Sequence, residues 1–294
     1  MRTEKIPVQI EGQLKAPVYH HREAPKGLPK LHFLSAFYGV RAAGKTTALM
    51  KLLRSYIQAG SFDVILFYSP TARIDPKNKA LLFPICNVME PEDELPKKID
   101  KPLLYVFEDP TKDDVDFGLD FIKKQQEDWK SYLKQKQVWD RLVRKGVDSL
   151  TDDEVLLLEF GEPHSPFKAQ PSTIIVFDDC VGNRSVFGNN RLTNFITKHR
   201  HFNTSMVWCL QAFKGQGTTL GLQMRNNLSF CLLWSCKNQQ MRRDFAATLA
   251  GRMTPEQVER CWDFATAEPY GFLYLDFADM ETGVRKGFEE VIQM

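Results

Sequence analysis

No run of apolar residues in this 294-residue sequence approaches the roughly 18 that a membrane-spanning helix needs, and the N-terminal stretch MRTEKIPVQIEGQLKAPVYHHREAPKGLPK has no continuous apolar centre. Neither membrane insertion nor secretion is expected. Cysteine is sparse: the six stand at 86, 180, 209, 231, 236 and 261, without a C-x-x-C pair, and several lie inside apolar runs such as SMVWCLQ and SFCLLW. That pattern favours buried reduced thiols over disulfides or metal ligands and suits a reducing compartment. Net charge is also nearly missing, with 39 Lys and Arg against 37 Asp and Glu. Composition therefore singles out no polyanionic partner, and a nucleic-acid reading has to come from local charge or from a motif. Internal repeats and low-complexity tracts are absent as well.

What remains is an ordinary globular composition, 43% hydrophobic, long enough to bury a full core as one large domain or a core plus a subdomain. Residues 1–30, rich in Pro, Lys and His, read as an N-terminal arm with one edge strand at IPVQIEG, lying on the core or on a neighbouring copy. Residues 31–294 read as one α/β domain. Apolar runs at LHFLSAF, DVILFYSP, PLLYVFEDP, STIIVFDD, TSMVWCLQ, SFCLLW and GFLYLDF predict strands, and TTALMKLLRSYIQAG, NNRLTNFITKHRHF and NQQMRRDFAATLAG have helical spacing. The alternation points to a mostly parallel sheet flanked by helices. Between about 111 and 165 the composition turns helical and charged, which predicts a helical insertion whose second, short helix is capped by Ser149 or Thr151.

The chemistry begins at GVRAAGKTT, residues 39–47, which fits G-x-x-x-x-G-K-[ST] between a strand and an amphipathic helix. Glycines let successive backbone N–H groups turn toward a phosphate, and the helix that follows offers its positive end to the same anion. Gly39, Val40, Arg41, Ala42, Ala43, Gly44, Lys45, Thr46 and Thr47 are thus the candidate nucleotide-binding residues, with Lys45 reaching the β- and γ-phosphates of ATP. Thr46 would place its hydroxyl on Mg²⁺. Asp178 and Asp179 end the strand IIVF and resemble a Walker B element: Asp178 holds the metal through water, and Asp179 orients and deprotonates the attacking water.

Two further polar residues flank the next strand. Gln211 ends it at the carboxyl edge, where an open parallel sheet binds ligands, and is poised to sense the γ-phosphate. Arg200 precedes it, at the opposite edge, too far from its own nucleotide but able to reach that of an adjacent subunit; it also fits a plain helix-end cation.

The set GVRAAGKTT, IIVFDDC and Arg200-His201 followed by Ser205 and Gln211, R-H-x-x-x-S-x-x-x-x-x-Q, resembles the FtsK and HerA superfamily of ring-forming DNA pumps. Within it, NNRLTNFITKHRHFNTSMVWCLQ is most similar to the genome-packaging ATPases of poxviruses and other double-stranded DNA viruses. The resemblance covers roughly residues 31–235. It implies a RecA-like sheet, a trans-acting arginine finger at Arg200, a sensor at Gln211, and a homo-oligomeric ring, a pentamer or hexamer, that pumps double-stranded DNA into a capsid or through its portal component. The setting it implies is the host cytoplasm or a viral factory, with virion association. Arg41 and Ala42 depart from the small glycine-rich residues usual in that loop, and Asp179 stands where many members have Glu.

DNA would be gripped through its phosphates by Lys, Arg and backbone N–H groups. QAFKGQGTTLGLQMRNN offers Lys214 and Arg225 as candidate DNA contacts in a pore loop, although a plain surface connection fits equally and Arg225 also suits a subunit interface. The basic and aromatic FIKKQQEDWKSYLKQKQVWDRLVRK reads better as an amphipathic helix whose stripe of Trp129, Tyr132, Leu133 and Trp139 packs on the sheet than as a nucleic-acid surface. Three alternatives stand beside the packaging motor: a cellular conjugation or segregation pump, a monomeric P-loop kinase with QQMRRDFAATLAGR as its arginine lid, and a scaffold that binds ATP but turns it over slowly.

Overall fold

The computed structural model describes residues 22–293 except 147–148, 181–182, 184–185, 187, 212–218, 250–252 and 280. Strand β1 (Leu34–Tyr38) leads through the phosphate loop into α1 (Lys45–Gln58) and β2 (Val64–Tyr68). Then come α2 (Pro76–Leu81), β3 (Asn87–Met89), β4 (Leu103–Phe107), α3 (Lys112–Lys145), α4 (Asp152–Glu159) and β5 (Thr173–Asp178). Helix α5 (Asn190–Ile196) and a 3-10 turn (His199–Phe202) precede β6 (Thr204–Leu210), α6 (Thr219–Asn227) and β7 (Phe230–Trp234). The chain closes with α7 (Gln239–Leu249), α8 (Pro255–Ala265), β8 (Phe272–Asp276), β9 (Val284–Lys286) and β10 (Glu290–Val291).

Among the described residues, ten strands form one sheet in the order β10-β9-β8-β7-β1-β6-β5-β2-β4-β3. From β7 to β3 every neighbour is parallel, whereas β8, β9 and β10 add on antiparallel. The parallel strands read as continuous apolar runs because both faces are covered. Alternate residues of β1 and the residue before it go to opposite sides: Leu34, Ala36 and Tyr38 join one core cluster with α3, α5, α7 and α8, while Phe33 and Phe37 join the other with Leu49, Leu53 and Tyr56 of α1. Each such fully buried side chain contributes roughly 1.5–3 kcal/mol. All six cysteines are buried and unpaired, and no helix among the described residues is long and apolar enough to cross a membrane.

Strand β8 reverses because two helices, not one, separate it from β7. A single crossover helix returns the chain to the start of a parallel strand, whereas α7 and α8, clamped by Arg242 to Asp263 at 2.7 Å, bring it back to the end it left. The same ion pair, with the Arg242 guanidinium 5.4 Å from the Trp262 ring, commits this arginine to the core side of its helix rather than to a lid.

The helical segment after residue 111 is a 34-residue helix, α3, followed by α4, whose cap is Thr151: its hydroxyl accepts from Glu154 N–H and the Glu154 carboxylate accepts from Thr151 N–H. Only the first half of α3 lies on the sheet, through Val115, Leu119 and Ile122. Of the expected stripe, Trp129 packs partly buried against the same core, but it does not continue: Leu133 is exposed, and Trp139 and Leu142 line a cavity with Leu157 and Phe160 of the α4 region. Length is the reason, since 34 residues of helix span about 50 Å while a five-residue strand spans about 17 Å. The proposed edge strand at IPVQIEG lies outside the described residues; the following stretch is tied to the core, with Arg22 2.6 Å from Asp63 and the Glu23 carbonyl accepting from the Ser61 hydroxyl.

Candidate functional site

The phosphate loop runs from the carboxyl end of β1 into α1. Its conformation follows from two left-handed residues, Ala42 at φ 60° and Gly44 at φ 107°, which turn the chain twice within five residues. Ala at such a φ is strained, which is why glycine is usual there. The loop is pinned to the sheet by Gly39 N–H donating to the Leu210 carbonyl at 3.1 Å. Lys45 arches back over it, its ammonium donating to the carbonyls of Gly39 at 2.7 Å and Val40 at 2.9 Å. Burial lowers the Lys45 pKa, and Cys209, Asp178 and Asp179 nearby oppose that shift.

Parallel pairing of β5 with β6, and of β6 with β1, brings the other predicted residues to the same edge. Asp178, only 6% exposed, accepts from the Thr46 hydroxyl at 3.3 Å. Burial raises its pKa, with the Cys209 thiol and Thr46 hydroxyl countering in part. Cys209 itself is held firmly as the thiol by burial and by that carboxylate. Asp179, exposed and at φ 54°, turns out of the strand, and its Oδ1 accepts from Gln211 Nε2 at 2.5 Å. Beneath these carboxylates, Phe107, Tyr68, Phe177 and Trp208 stack in a row across four neighbouring strands, with centroids 4.7, 4.9 and 4.1 Å apart.

The donor set suits Mg²⁺. One hydroxyl and one buried carboxylate stand together, no richer cluster of His, Cys, Asp and Glu exists among the described residues, and magnesium prefers few protein ligands with water and phosphate oxygens completing its shell. A cation beside Asp178 would also relieve the penalty that burial places on its charge.

Arg200 is not part of this cluster. It sits in the 3-10 turn ahead of β6, exposed, its guanidinium donating to the Ser229 hydroxyl at 3.3 Å, and so at the amino edge of the sheet, opposite to the phosphate loop. Arg41 is exposed on the loop and lines a 650 Å³ cavity together with Gln211. Arg225 is half-buried on α6, and Lys214 lies outside the described residues.

Several groups at the site carry no motif. The ammonium of Lys77 on α2 donates to the Thr47 hydroxyl at 2.8 Å, adding a cation to the phosphate side. A second cavity of 790 Å³ extends from the loop along Thr47 and Lys51 to Trp234, Tyr270, Phe272 and Phe288. Position could have signalled Trp234, which ends a buried strand at the carboxyl edge. Nothing in the sequence around Tyr270 marks it.

No family model matches the chain, and no curated protein matches it by sequence. Solved structures do. The crystal structure of B204, the DNA-packaging ATPase from Sulfolobus turreted icosahedral virus, aligns with TM-score 0.50 at 12% identity over 89% of this chain and 98% of B204. The genome packaging NTPase B204 from Sulfolobus turreted icosahedral virus 2, in complex with AMP, aligns at 0.48 and 10% over 88% of this chain and 98% of its own. The bacterial conjugative coupling protein TrwB gives 0.44 and 10% over 89% and 86%. At these identities the likeness is one of fold: the chain has the α/β architecture of a P-loop NTPase, a mostly parallel central sheet flanked by helices.

Proposed function

We propose that this protein is an ATPase that works in a homo-oligomeric ring, a pentamer or hexamer, and couples hydrolysis of MgATP to pumping double-stranded DNA into a preformed viral capsid. The observation that carries the reading is the division of the polar residues between two edges of one sheet. Lys45, Thr46, Asp178, Asp179 and Gln211 gather at the carboxyl edge, while Arg200 is exposed at the amino edge. A group so placed serves a neighbour's nucleotide or none.

The geometry supports a set of roles within this reading. Lys45 and the loop N–H groups hold the phosphates, and Lys77 beside Thr47 adds charge to the same side. Thr46 and Asp178 would hold Mg²⁺, which supplies charge neutralisation along the phosphate chain when bound. Asp179 is the base for the attacking water. Gln211, bonded to that carboxylate, precedes in sequence the proposed pore loop with Lys214, so a change at the γ-phosphate would be felt where that loop begins. B204, whose fold is shared, is itself a DNA-packaging ATPase, which supports the viral reading over a conjugation or segregation pump. A capsid or portal component as partner, and residence in the host cytoplasm or a viral factory and on the virion, belong to the same proposal.

The test is ATP turnover by the purified chain with and without long duplex DNA, alongside its mass in solution. DNA-stimulated hydrolysis by an oligomer, abolished by Lys45→Ala, is expected. A monomer indifferent to DNA would sink the motor and leave the small-molecule kinase.

A further inference from the structure

The 790 Å³ cavity beside the phosphate loop has an aromatic wall that phosphate binding does not require. Trp234 is 1% exposed, yet its indole Nε1 has no hydrogen-bond partner among the described residues. Buried donors are ordinarily satisfied, so an unmade bond here needs an explanation. Its position gives one. A β-carbon built on Gly44, the last glycine of the loop, would lie 3.4 Å from Trp234 Nε1 and 3.6 Å from Tyr270 Cδ1. The unmet N–H therefore stands beside the backbone that turns into Lys45 and Thr46, buried in the wall of the cavity that both residues line.

Tyr270 is held there at some cost. It adopts φ 64°, uncommon for a bulky residue, and 74% of it is exposed although it is a large aromatic ring. The turn is locked by Gly271, where a β-carbon would come within 2.5 Å of the Ala265 carbonyl. Phe272 and Phe288, 5.1 Å apart and edge to face, form the apolar wall beyond, and Lys51 of α1 lines the opposite side. The cavity thus runs from a cationic, N–H-rich end to one where aromatic rings stand beside Lys286, Glu289 and Glu290, with room along it for a nucleoside triphosphate.

We propose that Tyr270 forms the nucleoside end of the site and Trp234 its junction with the phosphate loop, resting on the nucleotide-binding reading above. The Tyr270 ring stacks on a purine base, and the Trp234 N–H donates to an oxygen of the phosphate chain. Stacking is tolerant of base identity but stronger for the larger ring system, so the platform separates purine from pyrimidine nucleotides without separating adenine from guanine.

Calorimetric titration of the full chain with magnesium and three probes tests this: a non-hydrolysable ATP analogue, its cytidine counterpart and inorganic tripolyphosphate. The informative variant is Tyr270→Asn, because Asn tolerates the left-handed backbone and removes the ring. It should weaken the ATP analogue about tenfold, erase its advantage over the cytidine analogue and leave tripolyphosphate unchanged, whereas Tyr270→Phe keeps all three affinities. Trp234→Phe, which keeps an aromatic ring but loses the donor, should weaken all three probes alike; a thermal melt of each variant confirms that it folds. Equal losses of ATP analogue and tripolyphosphate in Tyr270→Asn, or none, overturn the stacking role, and unchanged binding by Trp234→Phe overturns the donor. A wild-type chain that binds tripolyphosphate as tightly as the ATP analogue overturns the nucleoside subsite alone. One that binds no probe overturns the nucleotide reading beneath it.

Discussion

His199 anchors the turn that presents Arg200. Its ring is 3% exposed and its Nδ1 meets the Thr204 carbonyl at 2.6 Å, so the neutral tautomer with the proton on Nδ1 is the one that fits. Burial lowers its pKa to about 4, the bond to Thr204 opposing the shift and the charges of Arg200 and His201 adding to it. In the unfolded chain the same ring titrates near 6.5. The unfolded state therefore takes up the proton first as pH falls, and stability is full above about pH 6.5, declines below it and levels off under about pH 4. About 2 kcal/mol should be gone by pH 5. Urea unfolding at pH 7.5 and pH 5, compared with His199→Gln, reads the effect directly: the variant should show a shallower decline. An identical decline would mean that other groups carry the acid sensitivity.

The crossover helix α3 contains one residue with no room to change. Gly118 faces β2 so closely that a β-carbon would lie 2.2 Å from the Tyr68 hydroxyl and 3.0 Å from Leu66 Cδ1. That hydroxyl donates to the Asp114 carbonyl one turn earlier and sits on a ring stacked between Phe107 and Phe177. Gly118→Ala gains helix propensity of about 1 kcal/mol, but it must move a ring fixed on both faces, which typically costs 1–3 kcal/mol and releases the hydroxyl's bond. A lower melting temperature is expected, and a higher one would show that α3 rides loosely on the sheet. Such close approach is invisible in sequence, where Gly118 is merely a poor helix former. The parallel strands from β7 to β4 were legible because burial on both faces leaves runs like VILFY and FCLLW, and the loop and Asp178 were legible because phosphate chemistry restricts residue types. Strand β3, whose residues are exposed or half-buried, and the short β9 and β10 carry no such mark. Helix α8 did carry one: Thr254, Pro255 and Gln257 spell a capping box. At the site, Lys77 and Tyr270 escaped notice because tertiary packing alone brings them to the loop.

Over the whole molecule, the separation of Arg200 from its own phosphate loop makes its proposed role a property of assembly. If the arginine acts across a subunit boundary, an intact catalytic unit needs a working Lys45 on one subunit and a working Arg200 on the next. Rings of Lys45→Ala alone or Arg200→Ala alone contain no such unit and should be inactive. Random mixing of the two at equal amounts creates one wherever an Arg200→Ala subunit, with its loop intact, faces a Lys45→Ala subunit, with its arginine intact. In a head-to-tail ring that is about one interface in four. The mixture should therefore recover up to about a quarter of wild-type turnover, while Lys45→Ala mixed with Asp179→Asn, two lesions of the same subunit's site, should recover none. Because Arg200 touches Ser229 and not the nucleotide pocket, Arg200→Ala should also bind ATP analogues as the wild type does. Full activity of Arg200→Ala rings would instead make it an ordinary helix-end cation, and recovery absent from the first mixture would place its action within its own subunit.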